Sequence, residues 1–215
     1  MASKFTSVSS QYLSSLFSIS PYPLTIACWF NAENTTANHA LVYIGLSTST
    51  SRFLLSAAGA VTNDPISFDV IATGGGASQQ ANTTTGYNAN TWSHACGVAT
   101  SSNLRAVYLN GGANGTNTTS VTPSTPNRLT IGSRLATGIP GIFLDGSIAE
   151  VGIWNDALTA AEIASLANGM TCDKVRPQSL VFYAPLVRDL IDQKGGIAIT
   201  NNNSATVANH PRIYT

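Results

Sequence analysis

A chain of 215 residues that is 43% hydrophobic holds enough apolar material for one all-β domain or two small ones. Only 9% of it is charged, against roughly 25% in ordinary soluble domains, and ten basic residues balance ten acidic ones. Such a balance offers nothing to attract nucleic acid or an anionic membrane, and so sparse a charge favours a protein covered by an assembly.

Residues 1–19 are polar with scattered apolar positions and read as an N-terminal edge strand or arm. Their start lacks the basic-then-apolar pattern of a secretory signal, and no apolar run in the chain reaches the length of a membrane span. After Pro21-Tyr22-Pro23, Leu24–Phe30 alternates, with Leu24, Ile26, Cys28 and Phe30 on one face and Thr25, Ala27 and Trp29 on the other. Strands are predicted at Ala40–Leu46, Arg52–Ala57 and Ile66–Ala72, the last with Ile66, Phe68 and Val70 inward and Ser67 and Asp69 outward. The Asn/Thr/Gln-rich stretch up to Asn90 reads as loop. Trp92–Thr100 and Leu104–Asn110 form a hairpin, a polar loop follows, and Arg128–Gly132 is a further strand. Cys28, Cys96 and Cys172 are odd in number and contain no C-x-x-C pair, which argues against a disulfide framework or a zinc site. Cys28 and Cys96 read as small buried residues, with a bridge between them left open.

Asp145–Gly169 combines a turn, a strand over Ser147–Trp154 and a short helix. Thr159 is the N-cap and Glu162, three residues on, completes a capping box; Leu158 and Ile163 form a hydrophobic staple, and Gly169 stops the helix. Strands about every ten to fifteen residues with one credible helix indicate a sandwich or jelly roll, the helix plugging one open end. Residues 170–215 read as a C-terminal extension that packs back on the sandwich, with strands near Arg176–Leu186, Ile197–Thr200 and Ala205–Val207 and pairing to the N-terminal strand.

Trp92-Ser-His94, Val107-Tyr-Leu-Asn-Gly111, Leu129-Thr-Ile-Gly-Ser133 and Asp145-Gly-Ser-Ile-Ala-Glu-Val-Gly-Ile-Trp-Asn155, followed by Ala157-Leu-Thr-Ala-Ala-Glu-Ile163, occur in an order that resembles LamG-like domains of the concanavalin A-like lectin/glucanase superfamily over residues 20–169. The resemblance implies a jelly-roll sandwich of two antiparallel sheets with one short rim helix at about 159–168. The tail, from Arg176-Pro-Gln-Ser-Leu-Val-Phe-Tyr to His210-Pro-Arg-Ile213, is similar to the ending of LamG-like proteins of bacteriophages, which implies a virion component.

Glycanases of this superfamily carry two carboxylates on one strand face, about 5 Å apart, as nucleophile and acid. Glu150 is the only acid inside its strand here, and the close pair Asp189/Asp192 falls in a turn, so no catalytic residues and no enzyme are expected. Glu150 reads as a cross-strand partner for Arg105 or Arg134, and His94 as a packed strand residue. No metal site or cofactor is expected; calcium, which some LamG-like domains hold, has Asn63, Asp64 and Asp69 as sparse candidate ligands. The leading expectation is a non-enzymatic virion protein, a capsid decoration or head or tail accessory made in the host cytoplasm. It would contact the major capsid protein or another virion protein as a homo-oligomer, such as a trimer. Exposed Tyr12, Leu13, Phe17, Ile213 and Tyr214 would form the assembly interface. The alternative is a carbohydrate-binding module or adhesin, for which Tyr87, Trp92 and Trp154 offer aromatic platforms for a glycan.

Overall fold

The structure, a computed structural model, describes residues 1–187 and 189–213. In chain order its elements are β1 (Ala2–Phe5), β2 (Tyr12–Leu16), β3 (Leu24–Ala32), β4 (Asn38–Gly45), β5 (Arg52–Ala58), β6 (Pro65–Ile71), β7 (Gln79–Gly86), β8 (Ser93–Ser101), β9 (Leu104–Leu109), β10 (Gly112–Asn117), β11 (Arg128–Ile131), β12 (Arg134–Ala136), β13 (Ile139–Gly141), β14 (Gly146–Trp154), α1 (Ala160–Ala167), β15 (Leu180–Ala184), β16 (Thr200–Asn202) and β17 (Thr206–Ala208). The first sheet has the order β10-β9-β8-β3-β14-β1-β17, with β15 also paired to β14; the second runs β16-β2-β11-β4-β5-β6-β7. Every strand pair is antiparallel, so this is the two-sheet sandwich that the alternating pattern predicts.

The inward positions meet between the sheets. Leu24, Ile26, Cys28 and Phe30 of β3 pack in one cluster with Ile66, Phe68 and Val70 of β6, and with Phe53, Ile148 and Ile153. Burying each large side chain contributes about 1.5–3 kcal/mol. Gly97 on β8 makes room for Phe68, since a Cβ there would lie 2.5 Å from the ring. On one flank β7 and β10 draw together: Asn117 Nδ2 donates to the Gln80 carbonyl at 2.8 Å. On the other flank residues 203–205 carry the chain from β16 in one sheet to β17 in the other. Neither flank therefore presents a long open edge to a stray strand.

Several expectations are corrected. The first nineteen residues are not an edge arm: β1 lies between β14 and β17, and β2 between β11 and β16. With a period of two, Leu13 and Phe17 point inward and are buried, Phe17 packing edge-to-face on Phe182 at 5.6 Å. They are unavailable to a partner. Tyr12 and Ile213 are half-buried, and Tyr214 lies outside the described residues. Cys28 and Cys96 cannot bridge. Cys28 registers with Ala95 and Cys96 with Ala27, so the two thiols leave opposite faces of one sheet. All three cysteines are free and buried.

The helix forms as its caps predict. Thr159 and Glu162 make the reciprocal capping box. It does not plug the end of the sandwich. Ile163 and Leu166 lie on the outer face of the first sheet, in a second cluster with Ala27, Cys96, Val98 and Trp154. Arg176 fixes this arrangement: its guanidinium contacts Asp156 Oδ2 at 2.8 Å and Glu162 Oε2 at 2.6 Å, and donates to the Ala157 carbonyl at 3.1 Å.

Candidate functional site

The outer face of the second sheet carries what alternation leaves outside the core. Across it Tyr43 is opposite Leu54, Leu54 opposite Asp69, and Asp69 opposite Gln80, with Ser56 beside Ser67 one pair further along. After β11 the chain turns at Gly132, whose φ is 82°, and the β12–β13 hairpin folds over this face. Thr137 and Gly138, at φ 50° and 82°, supply the left-handed pair that a tight hairpin needs. Leu135 anchors the hairpin in a cluster with Ala40, Tyr43 and Leu54, and Ile142 packs against it. Arg134, one residue before Leu135, is thereby held over the sheet. Between the hairpin and β7 remains a groove of about 140 Å³, floored by Ser56, Ser67 and Asp69 and flanked by Asn38, Gln80 and Arg134. It is smaller than the ~300–1,000 Å³ of drug-sized pockets, so it suits one terminal residue of a larger ligand.

The charges in this groove do not cancel. Arg52 Nε and Nη2 lie 2.8 Å and 2.6 Å from Asp69 Oδ2, and both residues are buried. Ser78 donates its hydroxyl to the other carboxylate oxygen. Arg134 makes no ion pair or side-chain hydrogen bond among the described residues, and its Nε is buried without a partner. Burial, and then the neighbouring Arg52 charge, push the Arg134 guanidinium below its ordinary value, with Asp69 and Tyr43 pulling the other way. Ser67 Oγ is also buried and unpartnered. These groups are prepared to donate hydrogen bonds to an arriving acceptor, and the groove's one acid is already engaged.

The aromatic residues expected as sugar platforms do not form one. Tyr87 is buried against Phe30 and donates its hydroxyl to the Asn34 carbonyl at 3.1 Å; burial pushes that hydroxyl up to about 12. Trp154 is fully buried under α1 and donates its Nε1–H to the Val175 carbonyl at 2.9 Å. Both rings are too large and too well anchored to leave the core. Trp92 is half-buried just before β8, away from the groove's lining.

Glu150 has neither arginine as partner. It occupies a β-bulge where β14 slips register against β3, at φ 54°, and it is buried. Its Oε2 accepts from the Tyr183 hydroxyl at 2.7 Å and its Oε1 lies 3.2 Å from His210 Nε2. Arg105 instead donates to Asn117 Oδ1 at 2.8 Å. Asp192 is buried as a turn organiser, accepting from the backbone N–H groups of Tyr183, Lys194 and Gly195. Asp69, a candidate calcium ligand, is held by Arg52 instead, while Asn63 and Asp64 adopt left-handed turn conformations. Among the described residues no three His, Cys, Asp or Glu side chains converge as a metal set. A larger cavity of about 420 Å³ lies by Asp173, Lys174, Tyr183 and Lys194. Its lysines are engaged, Lys174 with Asp173 and Lys194 with the Pro177 carbonyl, which makes it the weaker candidate.

The chain belongs to the Laminin_G_3 family of the concanavalin A-like lectin/glucanases superfamily, whose model matches residues 6–164. The match begins inside the segment expected to be an arm, in keeping with β2 being integral to the second sheet. No curated protein matches the chain. Among solved structures it is similar to the native heptameric SAP-like pentraxin of Limulus polyphemus, at 15% identity and a TM-score of 0.60, covering 87% of this chain and 89% of that one. It is also similar to the CBM40 of Ruminococcus gnavus IT-sialidase bound to alpha2,3 sialyllactose, at 14% identity and a TM-score of 0.58, covering 69% of this chain and 84% of that one. The NanB sialidase of Streptococcus pneumoniae matches at 18% identity and a TM-score of 0.55, over 68% of this chain and 24% of that one. Identities this low speak for the fold alone.

Proposed function

We propose that this protein is a non-enzymatic glycan-recognition module and that the sugar seats in the groove beneath the β12–β13 hairpin. The observation that carries the reading is the lining. Asn38, Ser67, Gln80 and Arg134 offer donors and acceptors around a small cavity, with Leu54 and Ile142 as apolar surface for a sugar's C–H groups. The fold supports it as well, since the related structures include a carbohydrate-binding module with a sugar bound. Catalysis is not part of the proposal, because the groove's one carboxylate is committed to Arg52. The full chain applied to a glycan array is expected to give saturable binding that the double substitution Asn38→Ala, Gln80→Ala removes while the melt stays cooperative, with the exposed bond from Ala60 N–H to Asn38 Oδ1 lost. A blank array, or binding that survives the double substitution, refutes the assignment.

A second reading, attachment to a phage particle through the major capsid protein or another virion protein, as a homo-oligomer such as a trimer, rests on a different surface. Val8, Leu16 and Val207 are 89%, 67% and 63% exposed, all in the segments where the chain's two ends pair. That surface would replace the buried Leu13 and Phe17 as the contact. Purified virions would contain the chain in many copies; its absence from the particle rejects this reading.

A further inference from the structure

We infer that the groove takes an acidic sugar by its carboxylate, with the Arg134 guanidinium as the anchor; this rests on the glycan-binding reading above. The argument is a count of charge and of unused donors. Two guanidiniums, Arg52 and Arg134, face the groove, and one carboxylate, Asp69, answers them. Asp69 is fully occupied: one oxygen takes both Arg52 contacts and the other takes the Ser78 hydroxyl. Arg134 is left with a buried, unpartnered Nε, and Ser67 Oγ is in the same condition on the floor. Leaving a charged donor unsatisfied where water is scarce is costly, and that cost is relieved when an anion arrives.

The hairpin explains how this cost is sustained. Leu135 is packed on Ala40, Tyr43 and Leu54, which fixes the backbone carrying Arg134. The guanidinium presents its donors as a planar fork, which matches a planar carboxylate. The excess is local, because the chain as a whole has zero net charge. On the far side of the hairpin, Arg128 lines a second cavity of about 290 Å³ with Tyr12 and Ser14, and has no ion-pair partner among the described residues. The outer face of the second sheet is thus cationic on both sides of the hairpin, which favours the approach of an anionic chain end.

Calorimetric titration of the full chain with lactose, alpha2,3 sialyllactose, a hyaluronan tetrasaccharide and 3′-sulfated lactose tests this. At least one of the two carboxylate sugars is expected to bind about tenfold or more tighter than lactose at low salt, a difference on the order of 1.4 kcal/mol. The preference should shrink as ionic strength rises. Arg134→Gln should reduce that ligand to the lactose level, and Arg134→Lys, which keeps the charge and loses the fork, should fall between. Thermal melts of both variants establish that the fold persists, and should Arg134→Gln fail to fold, Arg134→Lys alone decides. Equal affinity for lactose and for both carboxylate sugars overturns the inference, as does a preference that survives Arg134→Gln or is matched by the sulfated sugar. The outcomes separate the two claims. Neutral glycans that bind on the array and are lost with Asn38 and Gln80 leave the glycan reading standing while the acidic preference falls; a blank array removes both.

Discussion

Replacing Asp69 by Asn should be among the most destabilising single-atom exchanges in this protein. The side chain accepts both Arg52 contacts on one oxygen, at 2.8 Å and 2.6 Å, and Asp69 is 2% exposed. Neutralising it leaves Arg52 buried without a counter-ion and Arg134 as an uncompensated second cation nearby. Breaking a buried pair from one side costs about 3–5 kcal/mol. Arg52 lies at the groove's margin and regains some water, so we expect about 3 kcal/mol. Arg52→Met alone should cost less, since Arg134 is at hand to share Asp69. The double variant Arg52→Met, Asp69→Asn removes charge from both sides and should recover a large part of the single loss, giving a coupling of about 2 kcal/mol. Urea titrations followed by tryptophan fluorescence would measure all four corners of the cycle. The slope with denaturant should be unchanged, because the exposed area on unfolding is the same. A loss below about 1 kcal/mol for Asp69→Asn, or strict additivity in the double variant, would show that the pair does not carry the energy its burial implies.

Two further outcomes follow from the core. Gly97→Ala would place a Cβ 2.5 Å from the Phe68 ring and should cost about 1–3 kcal/mol, part of which Phe68→Leu in the same chain restores; equal stability in urea of Gly97→Ala and the parent would contradict the packing. Burial lowers His94 to about 3, so the folded protein refuses a proton that the unfolded chain accepts below about 6.5. Stability should therefore fall as pH drops through that window, by up to about 1.4 kcal/mol per unit and about 2 kcal/mol in all at pH 5. His94→Gln should flatten this limb in urea titrations between pH 7.5 and 5, and an unaltered slope would assign the acid sensitivity elsewhere.

The parts of the fold that could be read from the sequence are those whose pattern has one solution. Leu24, Ile26, Cys28 and Phe30 can share a face only in a strand, and Thr159 with Glu162, set between Leu158 and the apolar Ile163 and Leu166, marks a helix start; both form as expected. β7 and β10 were hidden because Thr, Asn and Gly supply their alternation: Ala81 and Thr83 point inward, but neither is apolar and large enough to register as periodic. The three-residue strands of the β12–β13 hairpin fall below the length at which period shows. The groove was half legible. Asp69 is outward on β6 by alternation, and Arg52 opens the neighbouring strand, so their meeting follows once the two strands pair in register. Arg134 was not legible, because its position depends on a hairpin folding across a sheet face rather than on any local pattern. Tyr87 and Trp154 show the opposite failure. An aromatic ring looks the same in a sequence whether it lines a sugar site or fills a core, and only the surrounding packing decides.

The pairing of the chain's two ends bears on how the protein comes to be folded. β1 and β2 lie beside β17 and β16, partners nearly the whole chain away in sequence, and each also lies beside a strand from the middle of the chain, β14 or β11. Contacts of such long range close slowly, because the loop entropy is surrendered before any pairing returns it. During synthesis β1 and β2 must wait for β16 and β17 to emerge before both of their neighbours are in place, holding Phe5 and Leu13 short of their full cover until then. Nine of the first nineteen residues are apolar, as dense as in the chain at large, but Ser and Thr separate them so that no apolar run exceeds two residues while the segment waits for its partners.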